Sequence, residues 1–273
     1  MISGCRLVEE LIVPGQYCKG PFSLAGDRSP MNPSPDPPPL EIFLLGMVDF
    51  QEVQLLQRRI VYDLGEHGGA CLLLCEHPPT ISVGRSGSRS HIVPDDPTLR
   101  ALGIQTHWVN RGGGCVLHLP GQLAAYVAMR LEPPDLTVCS YVDRLHRAIE
   151  GVLDEFELSG RARTDLPGVF LGKARVATVG VAVNRWIAYH GLTINVGPYL
   201  PLFDILDEAG AEGPLQQTSI ESRKQRSIPM TRVRESLIRH LEEALGLKRH
   251  HLYTSHPLIR RKVLSHVYAP SPG

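Results

Sequence analysis

The sequence is short of the features by which a protein holds nucleic acid or crosses a membrane. Its 273 residues contain 28 lysines plus arginines and 28 aspartates plus glutamates, so no basic excess is present to bind a polyanion non-specifically. No apolar run approaches the ~18 residues of a transmembrane helix. The N-terminus also lacks the basic region and long apolar stretch of a secretory signal. We therefore expect a cytoplasmic protein that contacts neither nucleic acid nor membrane.

The cysteines and histidines form no metal-ligand pattern either. Of the six cysteines, Cys71 and Cys75 lie four residues apart, but no second ligand pair follows them. The twelve histidines are scattered, and the basic run of residues 248–251 is typical of a solvated helix end. The sequence predicts reduced thiols, as in a cytosolic protein, and no metal site.

Composition and proline content predict one large domain with appendages. Apolar residues make up 42% of the chain and charged residues 21%, as in ordinary soluble globular proteins. Residues 28–39 read RSPMNPSPDPPP, and each proline there fixes φ and removes a backbone donor. We expect a Pro-rich disordered tail and linker over residues 1–39, a domain over 40–247 and a C-terminal extension over 248–273.

Within the predicted domain, strand patterns outnumber helix patterns. An N-cap at Asp49 and a stop at Gly65 bound the first helix, Thr137 begins the second, and the third covers residues 231–245. Short turns such as Gly172-Lys173 join several strands. This order favours an α/β (α+β) fold with a mixed, largely antiparallel sheet flanked by helices. The predicted strands cover residues 40–45, 70–75, 106–109, 115–119, 123–129, 169–171, 176–183 and 187–195.

The most informative stretch is Arg111-Gly112-Gly113-Gly114-Cys115-Val116-Leu117-His118, followed by a Pro-Gly-Gln turn. Three consecutive glycines suit a backbone that bends sharply or approaches another group closely. Arg111 supplies a cation at one end, and His118 supplies a polar ring at the other. A plain structural turn explains the triplet as well. Phosphate binding is a further alternative, although neither the GxxxxGK[ST] nor the GxGxxG spacing is present.

Three other short sequence motifs lie before and after this stretch. Glu76-His77-Pro78-Pro79 and Gly84-Arg85 precede it, and Tyr189-His190-Gly191-Leu192-Thr193-Ile194-Asn195-Val196 follows it. In this order the motifs resemble the octanoyl-acyl-carrier-protein:protein octanoyltransferase family, also called lipoate-protein ligase B. The resemblance runs from Leu40 to about Ser219. It implies the fold of the biotin and lipoate protein ligases, a mixed sheet flanked by helices.

The resemblance also implies a narrow tunnel for an eight-carbon acyl chain, whose burial contributes about 0.8 kcal/mol per methylene. The donor would be an acyl carrier protein. The acceptor would be a lysine on a lipoyl domain of a 2-oxoacid dehydrogenase or glycine cleavage protein. No cofactor beyond the octanoyl or lipoyl group is implied, and we expect a monomer. The residues implied to bind substrate are Arg111, Gly112, Gly113, Gly114, Cys115, Val116, Leu117, His118, Thr178, Val179, Gly180, His190, Gly191 and Leu192.

The chain departs from the family at the two positions that carry the chemistry. In the family a cysteine takes up the acyl group as a thioester, and a lysine nearby moves protons. Ungapped spacing from His190 puts the cysteine position at Ala209, and the lysine position falls on Arg175. Alanine offers no nucleophile, and an arginine cannot act as a base because its guanidinium stays protonated.

Three substitutes for the missing groups are conceivable. Cys115 is a candidate relocated nucleophile, although packing is the simpler role for a strand cysteine. Lys173 lies two residues before Arg175, although a turn lysine is more simply solvated. Asp207 and Glu208 offer a base for direct transfer from thioester to amine, although an exposed acidic pair explains them equally well.

Three functions remain open on the sequence alone. The first is an octanoyl or lipoyl transferase-like protein of protein lipoylation. The second is a pseudoenzyme that keeps an acyl-binding or lipoyl-binding pocket without catalysis. The third is an ATP-dependent lipoate ligase, because the glycine triplet is close to that of those enzymes.

Overall fold

The architecture comes from a computed structural model that describes residues 39–132, 134–163, 166–207, 209–210 and 213–259. The predicted tail, apart from Pro39, and residues 260–273 lie outside the described residues. Thirteen strands fall in the described part: β1 Leu40–Met47, β2 Ala70–Glu76, β3 Thr80–Val83, β4 Gln105–Trp108, β5 Cys115–His118, β6 Gln122–Arg130, β7 Arg161–Ala162, β8 Val169–Leu171, β9 Ala174–Asn184, β10 Ile187–Asn195, β11 Ala209–Gly210, β12 Gly213–Pro214 and β13 His250–Tyr253. The α-helices there are α1 Phe50–His67, α2 Asp96–Ala101, α3 Val138–Glu155, α4 Ile220–Lys224 and α5 Met230–Leu245, and 3₁₀ turns span Arg89–His91 and Leu200–Ile205. None of these helices is long and apolar enough to cross a membrane.

The predicted mixed, largely antiparallel sheet is confirmed. Eight strands form it in the order β13-β1-β2-β6-β10-β9-β8-β7. Only the β13–β1 and β1–β2 pairs are parallel, and every other neighbouring pair is antiparallel. A second sheet of three strands has the order β4-β3-β5. The strand-rich pattern with short turns therefore identified the fold class correctly.

Helices cover both faces of the large sheet. One face packs against α3 and α5, whose apolar stripes include Tyr141, Leu145 and Leu237. The other face packs against α1 through Val53 and Leu56. The small sheet has a third core of its own, around Ile81 and Leu117. The molecule thus has a buried layer on each side of the sheet, as α+β folds require.

Helix capping explains where two of the helices begin. The Asp49 side chain accepts a hydrogen bond from the Gln51 N–H at 2.8 Å and starts α1. Thr137 and Ser140 form a reciprocal capping box at the start of α3. The expected stop of α1 at Gly65 is wrong, because the helix continues to His67. Gly68 ends it with φ +70° and donates its N–H to the Leu64 carbonyl.

The C-terminal edge of the sheet differs from the sequence prediction. Residues 248–251 are not a helix end, because α5 stops at Leu245 and β13 begins at His250. β13 pairs in parallel with β1, and the Tyr253 ring stacks on Phe43 with centroids 4.9 Å apart. The sheet therefore continues past residue 247, where the sequence placed the end of the domain. All four residues of β13 are exposed, so no apolar alternation marked the strand.

Candidate functional site

A narrow cavity lies between the large sheet and the small sheet, beside the start of α1. It contains about 340 Å³ of empty space, part of it open to solvent. Its walls come from α1, the loop before β5, and strands β5, β6, β9 and β10. The lining residues are Phe50, Arg111, Val116, His118, Tyr126, Thr178, Gly180, His190, Gly191, Leu192 and Thr193.

The cavity brings together eight of the fourteen residues expected to bind substrate. Residues 111–118 meet residues 178–180 and 190–192 there, because β9 and β10 pair with each other and the Gly112 N–H donates to the Val181 carbonyl of β9. Sequence reasoning did not assign Phe50, Tyr126 or Thr193 to the site. Thr193 lies inside the motif of residues 189–196 but was not assigned to the site, and Tyr126 lies on a strand whose other residues read as ordinary core. Phe50 reads as the first residue of a helix, so no local pattern marked Tyr126 or Phe50. The eight expected residues that line the cavity are Arg111, Val116, His118, Thr178, Gly180, His190, Gly191 and Leu192.

Strand alternation explains why neighbouring expected residues do not line the cavity. Val116 and His118 face it, whereas Cys115 and Leu117 point to the opposite side of β5 and join the core of the small sheet. Val179 likewise faces the core under α3 and α5. The loop between Arg111 and β5 is formed by Gly112, Gly113 and Gly114, none of which lines the cavity.

Cys115 is poorly placed to be a relocated nucleophile. Its side chain is completely buried, and its Sγ lies 3.6 Å from the Ser88 carbonyl oxygen, away from the cavity. Ile81 and Val83 pack in the same cluster. A bound acyl group in the cavity would not reach this thiol without rearrangement of β5.

The glycine triplet serves close backbone packing. Gly84 N–H donates to the Gly114 carbonyl, Ser86 N–H donates to the Gly113 carbonyl, and Gly112 N–H donates to the Val181 carbonyl. A Cβ on Gly84 would lie 2.4 Å from the Gly113 oxygen. Gly113 has φ +84°, in the left-handed region that favours glycine. The close approach of the loop therefore requires glycine at the facing positions Gly84 and Gly180, whereas within the triplet the positive φ of Gly113 is what favours glycine.

Packing of the loop holds Arg111 in the cavity wall. Arg111 is buried, and its Nη2 donates to the Ser82 carbonyl at 2.7 Å and to Ser82 Oγ at 2.8 Å. Its Nη1 donates to the Gly112 carbonyl at 3.0 Å. These bonds fix a permanent positive charge at one end of the cavity.

His118 is bound to the same serine. Its Nε2 lies 2.9 Å from Ser82 Oγ, while Nδ1 is buried without a hydrogen-bond partner among the described residues. Burial, together with the charges of His77, Arg111 and His190, holds the pKa of His118 well below its usual range. The imidazole is therefore neutral at physiological pH.

His77 lies behind the wall and is hydrogen-bonded at both ring nitrogens. Nδ1 lies 2.8 Å from the Val48 carbonyl oxygen, so this nitrogen carries the proton. Nε2 then accepts from the Tyr126 hydroxyl at 2.7 Å. Burial lowers the pKa of His77 to about 4. His77 is therefore a structural, hydrogen-bonded histidine.

His190 is the third buried histidine, and it lines the cavity directly. Burial, with the nearby charges of Arg111 and Arg58, lowers its pKa to about 3. The cavity therefore combines apolar walls, neutral imidazoles and one fixed cation. Such a lining suits an apolar chain that ends in a polar group.

Comparison with known proteins agrees with this geometry. The sequence model for the lipoyl protein ligase A/B catalytic domain matches residues 49–242. The octanoyltransferase of Syntrophobacter fumaroxidans is 34% identical over 201 residues, which cover 72% of this chain and 86% of that protein. The chain belongs to the lipoyl protein ligase A/B catalytic domain family. The octanoyltransferase of Methylococcus capsulatus is 34% identical over 170 residues, covering 62% of this chain and 79% of that protein.

Solved structures show the same fold. A lipoate-protein ligase A bound with ATP superposes with a TM-score of 0.67 at 16% identity, covering 79% of this chain and 90% of that one. A bi-partite lipoate protein ligase of Thermoplasma acidophilum, described with its E2 lipoyl domain, gives 0.66 at 18% identity, covering 79% and 88%. The family and its octanoyltransferase relatives place this protein in octanoyl or lipoyl transfer for protein lipoylation.

Within this family fold, a β-bulge sets the direction of Arg175. Val169 pairs with Ala177, whereas the next residue, Phe170, pairs with Arg175, so β9 carries one extra residue at Val176. Val176 and Ala177 both pack into the core under α3 and α5. The bulge thereby puts Arg175 on the cavity face of β9, together with Thr178. Arg175, which the resemblance puts at the family's lysine position, is buried and is not among the residues that line the cavity.

Lys173 and Ala209, the two other positions considered for catalysis, give less support to the family's chemistry. Lys173 is exposed at the turn before β9, as the sequence indicated. Ala209 begins the two-residue strand β11, which pairs with β12. Among the cavity-lining residues of the described chain there is neither a cysteine nor a lysine.

Proposed function

We propose that this protein binds the octanoyl chain of an acyl carrier protein thioester in the cavity and transfers it to a lysine of a lipoyl domain. The observation that carries this proposal is the cavity itself, which is lined by eight of the fourteen residues that the resemblance implies for substrate binding. Its apolar walls suit an eight-carbon chain, whose burial is worth about 0.8 kcal/mol per methylene. The octanoyltransferase relatives support octanoyl over other acyl groups.

The transfer proceeds without an acyl-enzyme, because the described residues that line the cavity supply no thiol. The neutral lysine amine of the lipoyl domain attacks the thioester carbonyl. The carbon–nitrogen bond forms, the carbon–sulfur bond breaks, and the proton lost by the amine leaves on the carrier thiol. The contribution of the protein is to hold the chain so that both partners meet at the carbonyl, and positioning of this kind accelerates reactions substantially.

The partners follow from the same reaction. The donor is an acyl carrier protein, and the acceptor is the lipoyl domain of a 2-oxoacid dehydrogenase or glycine cleavage protein. A structural neighbour described together with its E2 lipoyl domain supports the acceptor class. The acyl group arrives on its carrier, so the reaction needs no separate cofactor.

Intact-protein mass spectrometry tests the proposal. The protein is mixed with octanoyl-acyl carrier protein and an unmodified lipoyl domain, with and without ATP. The matched control is a lipoyl domain whose acceptor lysine is replaced by arginine. We expect octanoylation of the lipoyl domain without ATP, no octanoylation of the control domain, and no acyl adduct on this protein.

Other outcomes would overturn the proposal in different ways. Modification that requires ATP and free octanoate would indicate a ligase. Octanoyl binding without turnover, beside an active positive-control enzyme, would indicate a non-catalytic use of the cavity. An adduct on this protein would show that a nucleophile exists and would contradict direct transfer.

A further inference from the structure

The position of His190 breaks the alternation of β10. On this strand Ile187 and Tyr189 face α1, whereas Ala188 and Leu192 face the core under α3 and α5. A regular strand would send the side chain of His190 into that second core, because successive residues point to opposite faces.

An unusual backbone conformation turns His190 the other way. Its φ is +62°, in the left-handed region that non-glycine residues seldom adopt. The imidazole lies instead on the α1 side of the sheet, where it stacks on Tyr189 with centroids 4.8 Å apart and lines the cavity. Such a conformation persists only where its surroundings impose it, and it is found disproportionately at functional sites.

The group that supports this conformation is the side chain of Gln57. Pairing of β10 with β6 links Ala188 to Met129 and resumes only at Gly191, so the His190 N–H lies between the paired residues. That N–H donates to Gln57 Oε1 at 2.9 Å. Gln57 projects from α1 and is 2% exposed. A side-chain amide on a helix thus replaces the acceptor that the neighbouring strand would otherwise provide.

The nitrogen of the Gln57 side-chain amide, unlike its oxygen, does not support the fold. Its Nε2 is buried and makes no hydrogen bond among the described residues. A buried polar group left without a partner is destabilising, so packing alone would favour an apolar side chain at this position. The amide oxygen is the part of Gln57 that the fold uses.

We propose that Gln57 is a positioning residue that holds the His190 imidazole in the cavity wall, where the ring meets the bound acyl group. The proposal rests on the proposed function, because it requires a ligand in the cavity. The His190 ring makes no hydrogen bond within the described part of the chain, so its nitrogens remain available to the polar end of that ligand. Gln57 acts through His190 and does not itself line the cavity.

The test compares Gln57→Met with Gln54→Met, which makes the same change one turn earlier on α1. Affinity for octanoyl-pantetheine is measured by calorimetry for each variant, for His190→Asn and for the double variant Gln57→Met/His190→Asn. Asparagine at 190 tolerates the left-handed backbone but lacks the ring. The free energy of unfolding is measured for all four, and the crystal structure of Gln57→Met is determined.

We expect Gln57→Met to bind octanoyl-pantetheine at least tenfold more weakly, while Gln54→Met binds like the wild type. The double variant should bind no more weakly than His190→Asn alone, because both changes remove the same contact. Unfolding free energy should change little, and the crystal structure should show the imidazole displaced from the cavity.

Two results would overturn the inference. Additive losses in the double variant would assign Gln57 a general structural role. An unchanged His190 conformation in the Gln57→Met crystal structure would also contradict it, whether or not any ligand binds. Failure of the wild-type protein to bind octanoyl-pantetheine would instead count against the proposed function, and the crystal structure would still decide the role of Gln57.

Discussion

Val116 and Cys115 are neighbours on β5, yet only Val116 lines the cavity. The sequence motif grouped every residue from 111 to 118 as substrate-binding, because a motif records proximity along the chain. A strand directs alternate side chains to opposite faces, so about half of such a group must point away. Strand alternation would turn His190 away from the cavity, and only its left-handed backbone brings its side chain to the cavity wall. No sequence pattern reports φ, so this conformation could not be predicted.

The cavity assignment predicts that Val116→Phe blocks acyl binding. The larger ring would occupy the space beside His118, and overpacking of this kind costs about 1–3 kcal/mol of stability without unfolding a well-packed domain. We expect affinity for octanoyl-pantetheine, measured by calorimetry, to fall at least tenfold. Val116→Ala is the matched control, because it widens the cavity and should leave binding within a fewfold of wild type. Equal affinity in the Phe variant would place the acyl chain elsewhere.

At the scale of elements, strands with apolar patterns and helices with side-chain caps were predictable. β8 and β10 match their predicted bounds, α1 begins directly after the expected cap Asp49, and α3 begins one residue after Thr137, where the second helix was expected to start. β13 escaped prediction because its pairing with β1 uses backbone groups of exposed, polar-rich residues. The stop of α1 was misplaced because both Gly65 and Gly68 are candidate ends. Only Gly68 adopts the positive φ that ends the helix.

Pairing of β13 with β1 predicts that a chain ending at residue 247 is less stable than one ending at residue 259. The shorter chain loses four strand pairs and the stack of Tyr253 on Phe43. An aromatic pair contributes about 0.5–1.5 kcal/mol beyond its buried area, so a total loss of about 2 kcal/mol is reasonable. For a domain of this size that lowers Tm by roughly 4–8 °C. Calorimetry of both chains measures the difference, and identical Tm values would show that β13 does not stabilise the sheet.

For the whole molecule, three buried neutral histidines predict a stability that falls in mild acid. The pKa of His77 is lowered to about 4 and that of His190 to about 3, and that of His118 also lies well below its usual value. In the unfolded chain each titrates near 6.5. Above pH 6.5 both states are neutral and stability does not depend on these groups. Below it the unfolded state binds more protons, so the free energy of unfolding decreases as pH falls.

Urea denaturation at pH 7.5, 6.5 and 5.5 measures this effect. Each histidine contributes up to about 1.4 kcal/mol per pH unit below 6.5, so the three together lower the free energy of unfolding by about 4 kcal/mol at pH 5.5. A profile that is flat or rises toward pH 5.5 would mean that these imidazoles are not buried in neutral form.

We propose that the cavity binds an acyl chain although Ala209 and Arg175 occupy the positions where the resemblance implies the catalytic cysteine and lysine. The variant Ala209→Cys/Arg175→Lys introduces the cysteine and the lysine at these positions. It tests both the acyl-binding cavity and the loss of the catalytic pair. Wild type and variant are mixed separately with octanoyl-acyl carrier protein, and intact-protein mass spectrometry looks for an octanoyl adduct. The account predicts a hydroxylamine-sensitive thioester adduct on the variant and none on the wild type. An adduct on the wild-type protein, or a folded variant that binds octanoyl-pantetheine but forms no adduct, would contradict it.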